Sequence, residues 1–239
     1  MRGWDEMNDS KSPTGPATLD GPASAWQARA ALLETGFFFL FLLAYIWLVE
    51  PISSRWFWHA FGVFMGLAIL SNRLHGDTAT RLGIRVDNLG TALAEAIGVI
   101  APALLVAVGA GLRLGGGPDT GLVDILRSAA WIYPWALFQQ YGLQCVLGRR
   151  LEEVLPDPVG HDVVCAAMFA ALHLPNPFLT VVTFGAGYCF CALFRRGSNI
   201  FALAAAQALA STVIYHFLPN SITAFMRVGP GYFLARIST

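Results

Sequence analysis

Charged residues are scarce in this sequence. They make up 13% of its 239 residues, and acidic and basic side chains balance to a formal net charge of zero. Soluble domains usually carry about 25% charged residues, and nucleic-acid-binding proteins show a clear excess of positive charge. The composition therefore argues against a soluble domain and against a nucleic-acid partner.

Several other signatures are also missing. Residues 1–28 contain neither the basic region nor the apolar core of a signal peptide, and they predict a disordered polar tail. The four cysteines lack the Cys-x-x-Cys spacing and the paired histidines of a zinc site, so no metal and no cofactor is predicted. The period-two alternation of a membrane barrel is absent as well.

Apolar residues are abundant instead. They form 56% of the chain, and the mean hydropathy is +0.57. The apolar segments lie at about 31–49, 56–71, 89–112, 121–147, 160–174, 178–194 and 198–217. Because a bilayer requires about 20 apolar residues per helix and satisfied backbone groups, we predict an all-α polytopic transmembrane helix bundle of about seven spans. The predicted location is the cell membrane, with the lipid bilayer as a partner.

The arginines in the connecting loops predict the orientation. Cytoplasmic loops are enriched in basic residues. With a cytoplasmic N-terminus, the cytoplasmic loops hold seven arginines and the opposite short loops hold three. This asymmetry favours a cytoplasmic N-terminus. The segment 218–239 is amphipathic and is predicted either to lie at the membrane interface or to re-enter the bundle.

Polar side chains within the spans are few. Single acids, Glu34 and Glu95, lie near span entrances, where pairing or snorkelling is the usual role. Three further positions lie on different spans and are equally spaced along the chain: Gln139 with Gln140, then His173, then Gln207. Gln144 shares a helix face with Gln140. This set predicts a polar cluster around one intramembrane pocket, although interhelical hydrogen bonding alone would also explain the glutamines.

The arrangement resembles the CPBP family of CAAX-processing and bacteriocin-processing intramembrane endopeptidases, also called the Abi family. Its pattern is Glu-Glu followed by Arg, then Phe-x-x-x-His, then His-x-x-x-Asn. The corresponding stretches here are Gln139–Gln144, Phe169–His173 and Gln207–Ser211. The resemblance implies two accessory helices at 29–79 and a family-like core at 80–217.

The resemblance implies motif positions at His173, Gln139, Gln140 and Gln207, but only Phe169 and His173 keep the family's residues. A glutamine cannot accept the proton that a glutamate base would take from water. The neighbouring acids Glu152 and Glu153 are interpreted as interfacial charges.

Two functions remain open from the sequence. One is a catalytically altered member that binds a partner helix or an apolar ligand. The other is an active endopeptidase that cuts membrane or lipidated peptides with a different base. A transporter is disfavoured, because no paired broken helices or buried ion ligands are visible.

Overall fold

The computed structural model describes residues 25–118 and 121–237, and helices are the regular secondary structure throughout this part of the chain. In chain order they are α1 (Ala25–Ala44), α2 (Phe57–Leu74), α3 (Leu89–Arg113), α4 (Leu122–Gln140), α5 (Arg149–Glu152), α6 (Pro158–Ala171), α7 (Pro177–Gly197), α8 (Ile200–Phe217), α9 (Asn220–Thr223) and α10 (Pro230–Ile237). The all-α prediction is confirmed. Most of the predicted disordered tail, residues 1–24, lies outside the described residues.

Four helices are long and apolar enough to cross a membrane. They are Ala25–Val49, Leu89–Arg113, Pro177–Gly197 and Ile200–Phe217. Helix α6 is also apolar but has only 14 residues, which gives it a length of about 21 Å against a hydrocarbon core of about 30 Å. The structure therefore supports a multi-pass membrane protein, while the number of seven spans stays a prediction.

Large apolar side chains face outward around the bundle. Leu105, Val106 and Val181 are each more than 70% exposed, and Trp131 is 86% exposed. Such a surface would be an aggregation liability in water, but it matches the hydrocarbon of a bilayer. The interior is instead built from buried aromatic and small residues, among them Phe64, Phe190 and Ala206.

Three capping residues divide residues 158–217 into three helices. The side chains of Asp157, Asn176 and Asn199 accept hydrogen bonds from backbone N–H groups in the first turns of α6, α7 and α8. Pro158 and Pro177 occupy the first turn of their helices, where a missing N–H costs nothing. Short turns therefore connect α6 to α7 and α7 to α8.

Helix α4 continues beyond its α-helical part through a π-helical segment, Tyr141–Gly148, into α5. Helix α8 packs against both α3 and α4, and α6 packs against α7. The contact between α3 and the end of α8 is very close: a Cβ atom added to Gly111 would lie 2.1 Å from the carbonyl oxygen of Phe217. Glycine at this position is what permits the approach.

Three loops meet at one end of the bundle. Arg149 and Arg150 form ion pairs with Asp77 at 2.8 and 2.6 Å. The Asn199 side chain donates to the backbone carbonyl of Arg85 at 3.0 Å. The loops that follow α2, α5 and α7 therefore lie on the same side, as the alternation of predicted spans requires.

The chain after α8 folds back onto the bundle. Here residues 219–229 are called the strap. The Asn176 side chain donates to the strap carbonyls of Thr223 and Arg227 at 2.9 and 3.1 Å. The backbone N–H of Gly229 donates to the carbonyl of Leu174 at 2.8 Å. These hydrogen bonds hold the strap against the turn between α6 and α7.

Candidate functional site

The candidate residues come from three places in the fold. Gln139 and Gln140 end α4, and Gln144 lies in the π-helical segment that follows. His173 lies in the turn after α6, where Pro175 and Pro177 prevent the helix from continuing. Gln207 lies near the middle of α8, on a helix whose small residues allow α4 to approach.

The four glutamines form one chain of hydrogen bonds. The Gln144 amide donates to the Gln140 carbonyl oxygen at 3.2 Å, and the Gln140 amide donates to the Gln207 carbonyl oxygen at 2.6 Å. The Gln207 amide donates in turn to the carbonyl oxygen of Gln139. Gln140, Gln144 and Gln207 are buried, so the chain satisfies amide groups that would otherwise be costly in an apolar interior.

His173 is oriented by the helix that precedes it. Its Nδ1 lies 2.7 Å from the carbonyl oxygen of Phe169, and its ring packs edge-on against the Phe169 ring at a centroid distance of 4.8 Å. A carbonyl oxygen can only accept, so Nδ1 carries the hydrogen and Nε2 presents a lone pair in the neutral ring. Within the described chain, His173 has neither an ion pair nor a hydrogen bond with a carboxylate.

Two cavities meet at these residues. The smaller one has a volume of about 340 Å³ and lies between α1, α2 and α4. The larger one has a volume of about 760 Å³ and lies between α3, α4, α7 and α8. Gln139 and His173 line both cavities, and Met226 and Val228 of the strap also line both.

The placement of the predicted site residues is therefore mixed. Gln139, His173 and Gln207 line the larger cavity together with Ser211. Gln140 does not line either cavity: it is completely buried behind them and acts as the link between Gln144 and Gln207. The predicted convergence of the three spans is present, but only one of the two adjacent glutamines faces the open space.

A buried charge network at the end of the bundle was not anticipated. Arg150 is 1% exposed and donates to Glu153, Asn72 and Asp77 at 2.7, 2.9 and 2.6 Å. Burial alone would raise the pKa of Asp77, but the hydrogen bonds and charges of Arg149 and Arg150 outweigh it and lower that pKa below its usual value. Glu152 and Glu153 thus pair with arginines of their own turn.

A second buried group combines a cysteine, a histidine and an acid, but it is not arranged for nucleophilic chemistry. The Cys165 sulfur lies 3.6 Å from Nε2 of His161. That nitrogen faces the carbonyl oxygen of Gly148 at 3.0 Å, and Nδ1 faces Asp162 at 3.1 Å. Oxygen atoms face both ring nitrogens at shorter distances than the Cys165 sulfur, so neither nitrogen is aligned to take a proton from Cys165. Asp162 in turn pairs with Arg195.

The described residues contain no group of three or more histidine, cysteine, aspartate or glutamate side chains placed to hold a metal ion. Each of the two charged networks contains a pair of adjacent polar residues that is visible in the sequence: the Arg-Arg pair at 149–150 and the His-Asp pair at 161–162. Their partners, Asp77 and Arg195, are 72 and 33 residues away along the chain. Neither contact could be deduced without the tertiary structure.

Comparison with known families points to the site region. Residues 129–222, which run from the middle of α4 to α9, match the family described as type II CAAX prenyl endopeptidase Rce1-like. The chain has no significant match among curated proteins or among solved structures. The matched region contains all four glutamines and His173. The match supports the resemblance predicted from the motif spacing: over these residues the chain is similar to the CAAX endopeptidase family, and its long apolar helices are those of a membrane protein.

Proposed function

We propose that this protein is a catalytically altered member of its family, which binds an apolar ligand or a partner helix at the cavities around His173. The observation that carries the proposal is the chain of four glutamine amides. It occupies the positions where the family's pattern has two glutamates, an arginine and a second histidine.

The chemistry of peptide hydrolysis supports this proposal. A general base that takes a proton from water contributes roughly 10²–10⁴-fold to such a reaction. Glutamine is neutral and cannot serve as that base. The oxygens of Gln140 and Gln207 already accept hydrogen bonds from neighbouring amides. The remaining candidate is His173, and its orienting partner is a backbone carbonyl instead of a carboxylate.

The size and lining of the site favour an apolar ligand over a partner helix. The larger cavity, of about 760 Å³, lies between α3, α4, α7 and α8 and is lined mainly by aliphatic and aromatic side chains, including the outward-facing Val106 and Val181. Ligand sites typically have this character, with a few polar groups that orient the ligand. Seven membrane crossings and a cytoplasmic N-terminus belong to the same proposal. They place the strap, and the turn that carries His173, toward the opposite side of the membrane from the loops with most arginines.

The decisive experiment is a paired cleavage assay. Purified wild-type protein in liposomes is compared with His173→Ala and Gln140→Glu on a range of membrane and lipidated peptides. We expect no cleavage by the wild type or by His173→Ala. Any cleavage gained by Gln140→Glu alone would identify the pocket as an active site that has lost its base.

The alternative is an active endopeptidase. It is favoured by one observation, the open Nε2 of His173 at the wall of both cavities. If wild-type protein cleaves peptides and His173→Ala does not, this alternative is correct and the binding proposal is wrong.

A further inference from the structure

The hydrogen-bond chain has a direction, and its last member faces the cavities. Each amide nitrogen donates to the carbonyl oxygen of the next residue, in the order Gln144, Gln140, Gln207 and Gln139. Gln139 is therefore the terminal residue, and its oxygen accepts while its amide nitrogen has no partner among the described side chains. Successive hydrogen bonds polarise one another in an environment of low dielectric, so the terminal N–H of Gln139 is a strong donor.

The second polar group at the same wall is an acceptor. The Nδ1–H of His173 is held by the carbonyl of Phe169, which leaves the Nε2 lone pair for a donor. Gln139 and His173 line both cavities. The wall shared by the two cavities thus offers one hydrogen-bond donor and one acceptor, both uncharged.

The larger cavity adds a constraint on charge. The smaller cavity is also lined by Glu50 and Arg227, whereas the walls of the larger one contain no aspartate, glutamate, lysine or arginine among the described residues. An ionised head group there would lack a counter-ion, and burying an unpaired charge is far more costly than burying a hydrogen-bonded neutral group. An aliphatic chain suits the remaining surface, which is formed by residues such as Leu104, Val182 and Ile214.

We propose that the site binds a single-chain lipid with an uncharged primary amide head. This inference rests on the proposed binding function and deepens it. The carbonyl oxygen of the head accepts from Gln139, its N–H donates to Nε2 of His173, and its chain occupies the larger cavity. A methyl ester provides only the acceptor. An ionised carboxylate provides only acceptors and brings a charge that the cavity does not compensate.

The test uses the full chain in nanodiscs at pH 8, titrated with oleamide, methyl oleate or oleate, with bound ligand counted by native mass spectrometry. One hydrogen bond in such a site changes affinity by about tenfold. We expect oleamide to bind about tenfold more tightly than methyl oleate, and oleate to bind more weakly than either.

Two variants separate the two contacts. Gln139→Met should weaken oleamide and methyl oleate alike, by about tenfold, because both use the carbonyl contact. His173→Phe leaves the amide chain intact and should abolish the preference for oleamide over methyl oleate. Gln27→Met, the same substitution in the first turn of α1 and away from the cavities, serves as the control and should keep both affinities.

The outcomes distinguish this inference from the proposed function. Equal binding of the three ligands would overturn the amide assignment while leaving an apolar ligand site in place. Binding of none of them would overturn both the assignment and the apolar-ligand form of the proposed function. Cleavage of peptides by wild-type protein in the paired assay would overturn the proposed function by itself.

Discussion

At the scale of single residues, Arg150 is held by several polar partners. It is almost completely buried, and its guanidinium donates to Asn72, Asp77 and Glu153. Its Nε makes no hydrogen bond but lies at ion-pair distance, 3.5 Å, from the Glu34 carboxylate oxygen that accepts from Ser71. The Arg150 side chain thus links α5 to α1, to α2 and to the loop after α2.

Removing that charge should destabilise the fold. Arg150→Met keeps much of the apolar stem but leaves the buried Asp77 with less compensation. Breaking a buried ion pair on one side typically costs about 3–5 kcal/mol. We expect a loss of that size in the free energy of unfolding, measured by denaturant titration in detergent micelles.

The matched control is Arg127→Met. Arg127 pairs with Asp124 within α4, but its side chain is 77% exposed, and such pairs contribute at most about 1 kcal/mol. Equal losses for the two variants would show that the buried network does not stabilise the protein.

The sequence predicts which residues lie at the site but not how their side chains pair. Gln139, His173 and Gln207 could be assigned to one pocket, because their spacing follows the motif pattern of a known family. The direction of the amide chain could not be assigned, since it depends on which helix faces meet. The same holds for Asp77, a loop residue whose buried environment arises only when three distant segments come together.

At the scale of elements, the strap is the segment after α8 that forms part of the walls of both cavities. Three consecutive residues, Ala224, Phe225 and Met226, have φ between 48° and 54°, a conformation that non-glycine residues seldom adopt. Asn176 supports this turn with two side-chain hydrogen bonds to strap carbonyls. Met226 and Val228 then form part of the wall of both cavities.

Asn176→Asp should release the strap without weakening α7. Aspartate keeps the oxygen that caps the helix, but it loses the N–H groups that donate to Thr223 and Arg227. We expect faster hydrogen–deuterium exchange of backbone amides in residues 222–231, with exchange in α7 unchanged.

A closely matched control exists at the start of α8. Asn199 also caps a helix and donates to two acceptors, the Arg85 carbonyl and the Asn88 side chain. Asn199→Asp should leave exchange in the strap at the wild-type rate. If it accelerates the strap as much as Asn176→Asp does, the effect is global and the assigned role of Asn176 is wrong.

The contact between α3 and α8 yields a second prediction for elements. Gly111→Ala would place a methyl group 2.1 Å from the Phe217 carbonyl, so the helices must separate. We expect a lower thermal transition in detergent, with a destabilisation of about 1–3 kcal/mol, as is usual for overpacking.

Gly109→Ala is the control for that prediction, because a Cβ atom there has no neighbour within 4 Å. Alanine favours a helix interior by up to about 1 kcal/mol over glycine, so this variant should be neutral or slightly stabilising. A loss of stability equal to that of Gly111→Ala would contradict the close-approach argument.

The elements were predicted with uneven success for physical reasons. Long apolar runs define α1, α3, α7 and α8 in the sequence itself, and the capping residues Asn176 and Asn199 mark the starts of α7 and α8. The π-helical segment Tyr141–Gly148 has no comparable signal, because all eight of its residues are buried and no one-sided apolar pattern distinguishes a π-helix from an α-helix. The length of α6 also differs from its prediction. Its apolar pattern predicted a span, but the prolines that follow limit the helix to 14 residues.

At the scale of the whole molecule, the loops with most arginines lie at one end. The ion pairs of Asp77 with Arg149 and Arg150, and the hydrogen bond from Asn199 to the Arg85 carbonyl, connect all three loops. Reporters fused after residues 80, 150 and 196 should therefore report the same side, and the arginine excess predicts the cytoplasm.

A reporter fused after residue 118 should report the opposite side, because α3 lies between it and the loop at residue 80. This fusion serves as the internal control for reporter folding and export. A split result among the three arginine-rich loops would contradict the shared end, and a uniform external result would reverse the orientation.

The uncharged amide chain has a consequence for how the protein is made. A charged side chain at the centre of a nascent helix opposes release into the bilayer by about 2.5–3.5 kcal/mol, and the family's pattern has two acids and an arginine where this chain has Gln139, Gln140 and Gln144. The neutral amides avoid this charge penalty, but they remain costly in lipid until they are hydrogen-bonded. Their partner Gln207 lies on α8, which is synthesised later, so the hydrogen-bond chain that satisfies them closes only when α8 joins α4.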